Sequence, residues 1–196
     1  FRGAIFTNFS QDHLDYHKTM KSYLNTKLIL FRNILGKNST IISNKEIPTF
    51  KILEQIAKKK NVKILDINKT LTKIQNINLK FNENFKIINL AMAIEAAKLC
   101  GLKEKLIFKN LKNLKDVNGR LELVRRYPNK VKVFIDYAHT PDALFESLKS
   151  LKNNYGNNIS LVFGCGGDRD QTKRSIMARI ANDNCKKIYI TDDNPR

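Results

Sequence analysis

The chain has no tryptophan, only four prolines and eight glycines, and no apolar run near the roughly 18 residues that a membrane-spanning helix needs. Its first residues, FRGAIFTNFSQD, lack the basic-then-apolar layout of a signal peptide, so a cytoplasmic protein without membrane contact is expected. Cysteine is scarce too. Cys100, Cys165 and Cys185 are odd in number and widely spaced, with no C-x-x-C pair, which argues against a disulfide framework, a zinc site or a redox couple. They read as reduced thiols, and Cys165 serves its glycine loop either as a nucleophile or as a small buried residue. Acidic residues are outnumbered, 18 Asp and Glu against 36 Lys and Arg, for a net charge of +18. Such a balance can mark a nucleic-acid binder. Here the lysines are dispersed among asparagines and isoleucines, as at Lys58-Lys59-Lys60, Lys109, Lys112 and Lys186-Lys187, and are not interleaved with aromatics as a stacking platform requires. No nucleic-acid partner is expected; a basic nucleic-acid-binding module stays the rival from another class, recognised by a steep loss of binding with salt.

What is present suits a folded protein: 42% apolar and 28% charged residues in 196, enough for one large domain or parts of two. The chain reads outward from GCGGDRD, Gly164 to Asp170. The apolar run from Ile159 to Phe163 feeds into it, and Lys173-Arg174 leads out into a helical pattern, which makes a strand, a glycine loop and a helix. Glycines let backbone approach a ligand, and open α/β sheets bind ligands beyond the carboxyl ends of strands. Asp168, Arg169 and Asp170 would face such a ligand, or simply form a polar turn. The dinucleotide fingerprint G-x-G-x-x-G is absent, since its third glycine would fall on Arg169.

Earlier in the chain, Ala4 to Thr7 reads as a strand end. NFSQDHLDYH, Asn8 to His17, packs Asp12, His13, Asp15 and His17 into one or two turns, either as ligands for a divalent ion or as capping and surface chemistry. Leu14 stands where H-E-x-x-H would need its glutamate. Met20, Leu24, Leu28, Phe31 and Leu35 recur at helical spacing, with Lys27 on the same stripe. A lysine stem on a buried face either leaves a desolvated, nucleophilic amine or snorkels to water. A strand at Thr40–Ile42, a helix from Pro48 to about Lys60 and a strand from Val62 to Leu65 indicate crossover units on a parallel sheet. Residues 69–84 read as edge strands or irregular loop. Phe85 to Gly101 reads as a helix stopped by glycine. Lys103 to Asn118 is the candidate domain boundary, dividing the chain into residues 1–112 and 113–196.

Beyond it, Leu121 to Arg126 and Val131 to Ile135 read as strands, the second alternating Val131, Val133 and Ile135 against Lys132 and Phe134. DYAHTPDAL then caps a helix through Thr140, Pro141 and Asp142. A last strand, Lys187 to Thr191, runs into Asp192-Asp193-Asn194-Pro195-Arg196. Three strand ends, near Asp136, Gly164 and Asp192, are expected to meet on one rim.

Seven separated segments together resemble the Mur ligases: TNFSQDHLDYHKTM from Thr7, the helix lysine Lys27, FKIINLAMAIEAA from Phe85, NGRLELV from Asn118, DYAHTPDAL from Asp136, GCGGDRD with KRSIM, and TDDNPR from Thr191. The resemblance implies an α/β chain, the remnant of a P-loop-type central ATP-binding domain followed by a Rossmann-like C-terminal domain. It is nearest to members that add meso-diaminopimelate to UDP-N-acetylmuramoyl-L-alanyl-D-glutamate through an acyl phosphate; members adding L-lysine and folylpolyglutamate synthetases are the rivals within the superfamily. No G-x-x-G-K-[ST] phosphate loop occurs, so the chain is expected to be a fragment that is inactive by itself.

The resemblance also implies ATP and Mg²⁺ as cofactors and a monomer. His13 corresponds to a magnesium ligand, and Lys27 to a lysine carbamylated by carbon dioxide that helps hold a metal ion. Asn89, Arg120, Asp136 and His139 correspond to nucleotide contacts, and Arg169, Asp193, Asn194 and Arg196 to the diaminopimelate site. Two positions depart from the pattern. Lys86 replaces an adenine-contacting asparagine, which removes that contact, and Asn118 replaces a proline.

Overall fold

The computed structural model describes residues 1–194, which fall into two compact units. The first comprises residues 1–9 and 24–115, and the second residues 10–23 and 116–194.

The first unit is built on a parallel sheet of β1 (Gly3–Phe6), β2 (Thr40–Ser43) and β3 (Lys63–Asp66), in that order. Register pairs Ile5 with Ile42 and Ile42 with Leu65. All four residues of β2 are buried, as expected of a central parallel strand covered on both faces. Between β1 and β2 runs α2 (Met20–Ile29), whose last turn relaxes into a π-helical stretch, Leu30–Ile34. Leu28, Phe31 and Leu35 point into one core with Phe6, Ile41 and Leu53, the last from α3 (Phe50–Lys60).

On the sheet's other face, Ile42, Ile67 and Ile74 pack with Ala91, Met92 and Ile94 of α5 (Asn84–Leu99). Gly3 allows this close approach: a Cβ there would stand 2.8 Å from Leu99 Cδ1 and 2.9 Å from the Thr40 carbonyl oxygen.

Residues 69–84, expected as edge strands or loop, begin instead as part of α4 (Asn68–Ile74). Ile67, Leu71 and Ile74 recur at helical spacing, and that period outweighs the looser one of Ile74, Ile77 and Leu79. The lysine- and asparagine-rich stretch after Gly101 is likewise structured, as α6 (Glu104–Asn110) and a 3₁₀ turn (Leu111–Asn113) that buries Leu111.

In the second unit, a short α1 (Leu14–His17) is flanked by His13 and Lys18, both at positive φ. The strands β4 (Glu122–Arg126) and β5 (Lys132–Ile135) form an antiparallel pair. Next comes α7 (Pro141–Tyr155), capped as its sequence indicates: Ala143 N donates to Thr140 Oγ1 at 3.2 Å, with Pro141 in the first turn. Then β6 (Ser160–Phe163), α8 (Thr172–Asn184) and β7 (Lys187–Ile190) make a crossover in which β6 and β7 pair in parallel. Leu144, Leu148 and Met177 form the core, lined by Leu161, Phe163 and Cys165.

The expected alternation in β5 is present, and the structure gives its direction. Lys132 and Phe134 are the partly buried residues, whereas Val131, Val133 and Ile135 are exposed. Tyr155, at the end of α7, supplies the reason: Phe134 packs against its ring at 5.1 Å between centroids, and the Lys132 ammonium lies 4.1 Å from it.

Candidate functional site

The second unit gathers its polar residues around the loop from Gly164 to Asp170 and the start of α8. Gly164 lets the ends of β6 and β7 close together, since a Cβ there would stand 2.3 Å from the Thr191 carbonyl oxygen. Beyond the strands, Gly166 pairs with Asp193, and Gly167 N donates to the Asn194 carbonyl at 3.4 Å. The end of β5 reaches the same region through its following loop, because the Lys173 ammonium donates to the His139 carbonyl at 2.8 Å. Asp193 and Asn194 are exposed there. Arg196 lies outside the described residues.

Of the three residues expected to face a ligand from the glycine loop, Asp170 does not. It is 5% exposed and accepts from Gln11 Nε2 at 2.9 Å, from Thr172 N at 2.9 Å and from the Thr172 hydroxyl at 2.5 Å. Burial raises its carboxyl pKa, but these hydrogen bonds and the nearby Lys173 charge outweigh that and hold it below the ordinary range. Its task is to close the entry of α8. Asp168 and Arg169 are exposed, and Arg169 Nη1 stands 4.0 Å from Asp15 Oδ2.

His13 and His139 meet at one carboxylate. Asp12 Oδ2 lies 3.3 Å from His13 Nε2 and 3.4 Å from His139 Nε2, while Asp12 Oδ1 lies 3.7 Å from the Lys173 ammonium. Both imidazoles are half exposed; Lys173 is 5% exposed. His139 Nδ1 is also 3.0 Å from the Tyr137 carbonyl. Arg120 lies over the exposed Tyr137 ring, 4.7 Å from its centroid, next to the His139 ring.

Asp136 is committed within the protein: it accepts from Leu121 N at 3.0 Å and from the Ser147 hydroxyl, and so pins the turn before β4. Among the described residues no three His, Cys, Asp or Glu side chains gather to hold a metal ion. Asp12 and His13 supply one carboxylate and one imidazole. That set fits an ion completed by phosphate and water, as magnesium often is.

Two site residues belong to the first unit. Asn89 is exposed on α5. Lys27 corrects an expectation: it is exposed on α2, not carried on the buried face, because that face follows Leu24, Leu28, Phe31 and Leu35 and leaves Lys27 on its flank. Lys86 is largely covered, 3.4 Å from Glu83 Oε1 and over the Phe81 ring.

Sequence reasoning missed Lys173. The signal was available, since Lys173, Met177 and Ala181 recur every fourth residue and all three are buried. A buried helix stripe carries Lys173, on α8, and not Lys27.

Two family models match the chain: the Mur ligase middle domain over residues 1–103 and the Mur ligase glutamate ligase domain over residues 119–196. A UDP-N-acetylmuramoyl-L-alanyl-D-glutamate--2,6-diaminopimelate ligase of Rickettsia montanensis is 38% identical over 98% of this chain and 44% of its own length. One from Haemophilus influenzae is 34% identical over 100% of this chain and 45% of its own. The chain thus spans less than half of these relatives. A solved structure of a ligase with the same name superimposes with a TM-score of 0.59 at 29% identity, covering 100% of this chain and 44% of that one. A Mycobacterium tuberculosis folylpolyglutamate synthase, solved with ADP and AMPPCP, superimposes at 0.73 with 15% identity over 97% of this chain and 48% of that one, a likeness of fold alone. Matched by one of its domain models across residues 1–103 and by another across 119–196, this chain belongs to the Mur ligase family.

Proposed function

We infer that this chain forms part of an ATP-dependent ligase that joins meso-diaminopimelate to UDP-N-acetylmuramoyl-L-alanyl-D-glutamate in peptidoglycan synthesis. The observation that carries this reading is the identity of 34% to 40%, along nearly the whole chain, to ligases named for that reaction. The division into a central-domain part, residues 1–112, and a C-terminal part, residues 113–196, belongs to the same reading.

In the proposed reaction the D-glutamate carboxylate attacks the γ-phosphorus of ATP and releases ADP. The amine of diaminopimelate attacks the resulting acyl phosphate, and phosphate leaves as the amide forms. Bound magnesium would offset the triphosphate's negative charge, with His13 as its protein ligand and Asp12 beside it. Lys27 enters as a carbamate through the resemblance of its segment. Arg120 and His139, each against the Tyr137 ring, would contact nucleotide, and the resemblance gives the same role to Asn89 on α5. Asp136, bonded to Leu121 N and Ser147, would shape that contact by holding its loop. Arg169, Asp193, Asn194 and Arg196 would receive the amino acid. Diaminopimelate differs from lysine by one carboxylate, which a guanidinium binds with two parallel charge-assisted hydrogen bonds. The expected setting is cytoplasmic, with a monomeric enzyme.

The test uses the whole ligase containing this chain. Its kcat/KM for meso-diaminopimelate should exceed that for L-lysine by roughly 10⁴-fold, and Arg196→Ala should collapse that ratio. Preference for L-lysine, or for a folate with glutamate, would overturn the reading.

A further inference from the structure

Asp12 is covered over most of its surface and is held from several directions. Its Oδ1 accepts the His13 backbone N–H at 2.9 Å and faces the Lys173 ammonium at 3.7 Å. The preceding Gln11 is tied to both Asp170 and Thr172 at the start of α8, at 2.9 and 2.8 Å. Three residues on, Asp15 faces Arg169. Gln11, Asp12 and Asp15, in and just before α1, are therefore each set against residues between Arg169 and Lys173 at the entry of α8. Lys173 is the buried member of this set, anchored by its helix and by the His139 carbonyl.

The two imidazoles differ from their supports, since both are half exposed. A half-exposed side chain samples several rotamers and gives up that freedom when it binds something. Rings that share a fixed carboxylate have given it up beforehand. Their common partner is Oδ2, the oxygen not engaged by Lys173 or the His13 backbone.

We propose that Asp12 is a positioning residue that holds the His13 and His139 rings toward one carboxylate, with Lys173 as its buried counter-charge. The geometric part stands alone. Its consequence for catalysis rests on the reading of His13 and His139 as metal and nucleotide contacts. Supporting groups of this kind decide whether a site is preorganised or loose.

The first measurement follows the ring signals of the three histidines of this chain by nuclear magnetic resonance at one fixed pH. Lys173→Met removes the charge and keeps an apolar stem beside Met177. It should shift the His13 and His139 signals and leave that of His17, which stacks on Tyr23 at 5.1 Å. Asp12→Asn should do the same, and Asp12→Glu should restore part of the pattern. Amide exchange over residues 11–16 should quicken on the order of a hundredfold, as expected when a buried charge loses its partner, while α7 stays protected. Unmoved His13 and His139 signals in both variants would overturn the proposal. Equal loss of protection in α7 and β6 would overturn it as well, because that is general destabilisation.

The second measurement uses the whole ligase. Asp12→Asn should raise the magnesium concentration for half-maximal rate and the KM for ATP by about tenfold, with the KM for diaminopimelate unchanged. If His13→Ala is inactive while Asp12→Asn behaves as wild type, positioning fails. If His13→Ala is fully active although the ring signals move, the functional reading fails and the positioning stands.

Discussion

The Lys173 ammonium stands 3.7 Å from the Asp12 carboxylate while donating to the His139 carbonyl, so one buried lysine ties the segment before α1 to the loop after β5. Lys27, the lysine that the sequence pointed to, is exposed on α2. Burial sets what a lysine's loss costs. Removing one partner of a buried pair strands the other charge, at a cost of about 3 to 5 kcal/mol, and the part of Asp12 left open to water places Lys173→Ala near the lower figure. Exposed positions away from such features change stability by roughly 0.5 kcal/mol or less. Lys173→Ala should therefore lower the urea midpoint of this chain clearly, and Lys21→Ala, at an exposed position of α2, barely, as read by circular dichroism. Equal effects would show that the burial assigned to Lys173 is wrong.

Asp170 makes the second unit sensitive to acid. Its folded pKa is below the unfolded value, because hydrogen bonds from Gln11 and Thr172 outweigh burial. A carboxylate shifted in this direction contributes stability above its unfolded pKa, near 3.9, and loses it as pH falls through the folded pKa. Stability should thus drop below about pH 4, and Asp170→Asn should flatten that drop while lowering stability at neutral pH. Denaturant titrations from neutral pH to about pH 2 check this; parallel acid limbs in the two proteins would contradict it.

The glycines of this chain differ in what they are needed for. Gly164→Ala would drive a methyl group against the Thr191 carbonyl oxygen, a backbone atom, and crowd Asp193 at 3.1 Å. It should cost about 1 to 3 kcal/mol and loosen the β6–β7 junction. Gly36 has nothing within 4 Å of the same added atom, so Gly36→Ala should be neutral or stabilising by up to roughly 1 kcal/mol. Thermal unfolding of the two variants separates these cases.

The local rules were legible wherever one interaction dominated. Thr140, Pro141 and Asp142 announce α7 because capping acts within a single turn. The crossover order of β2, α3 and β3 follows from alternating periods, and Gly101, at φ +91°, ends its helix as its position implies. Residues 69–84 misled because short apolar runs fit two periods, and the choice went to the one that buries Ile67 and Ile74.

By itself, then, the sequence determined the family, the alternation of strands and helices, and the identity of the residues offered to chemistry, since these depend on short spacings and on matched segments. Only the tertiary structure decided how each of those residues is placed. Lys27 proved exposed and Asp170 engaged because a helix stripe or a glycine loop says nothing of what packs against it. The sharing of Asp12 by His13, His139 and Lys173 joins three segments far apart in the chain, a relation that no local period carries. The direction of the β5 alternation has the same origin: Phe134 and Lys132 lie against the Tyr155 ring, and Val133 and Ile135 stay outside.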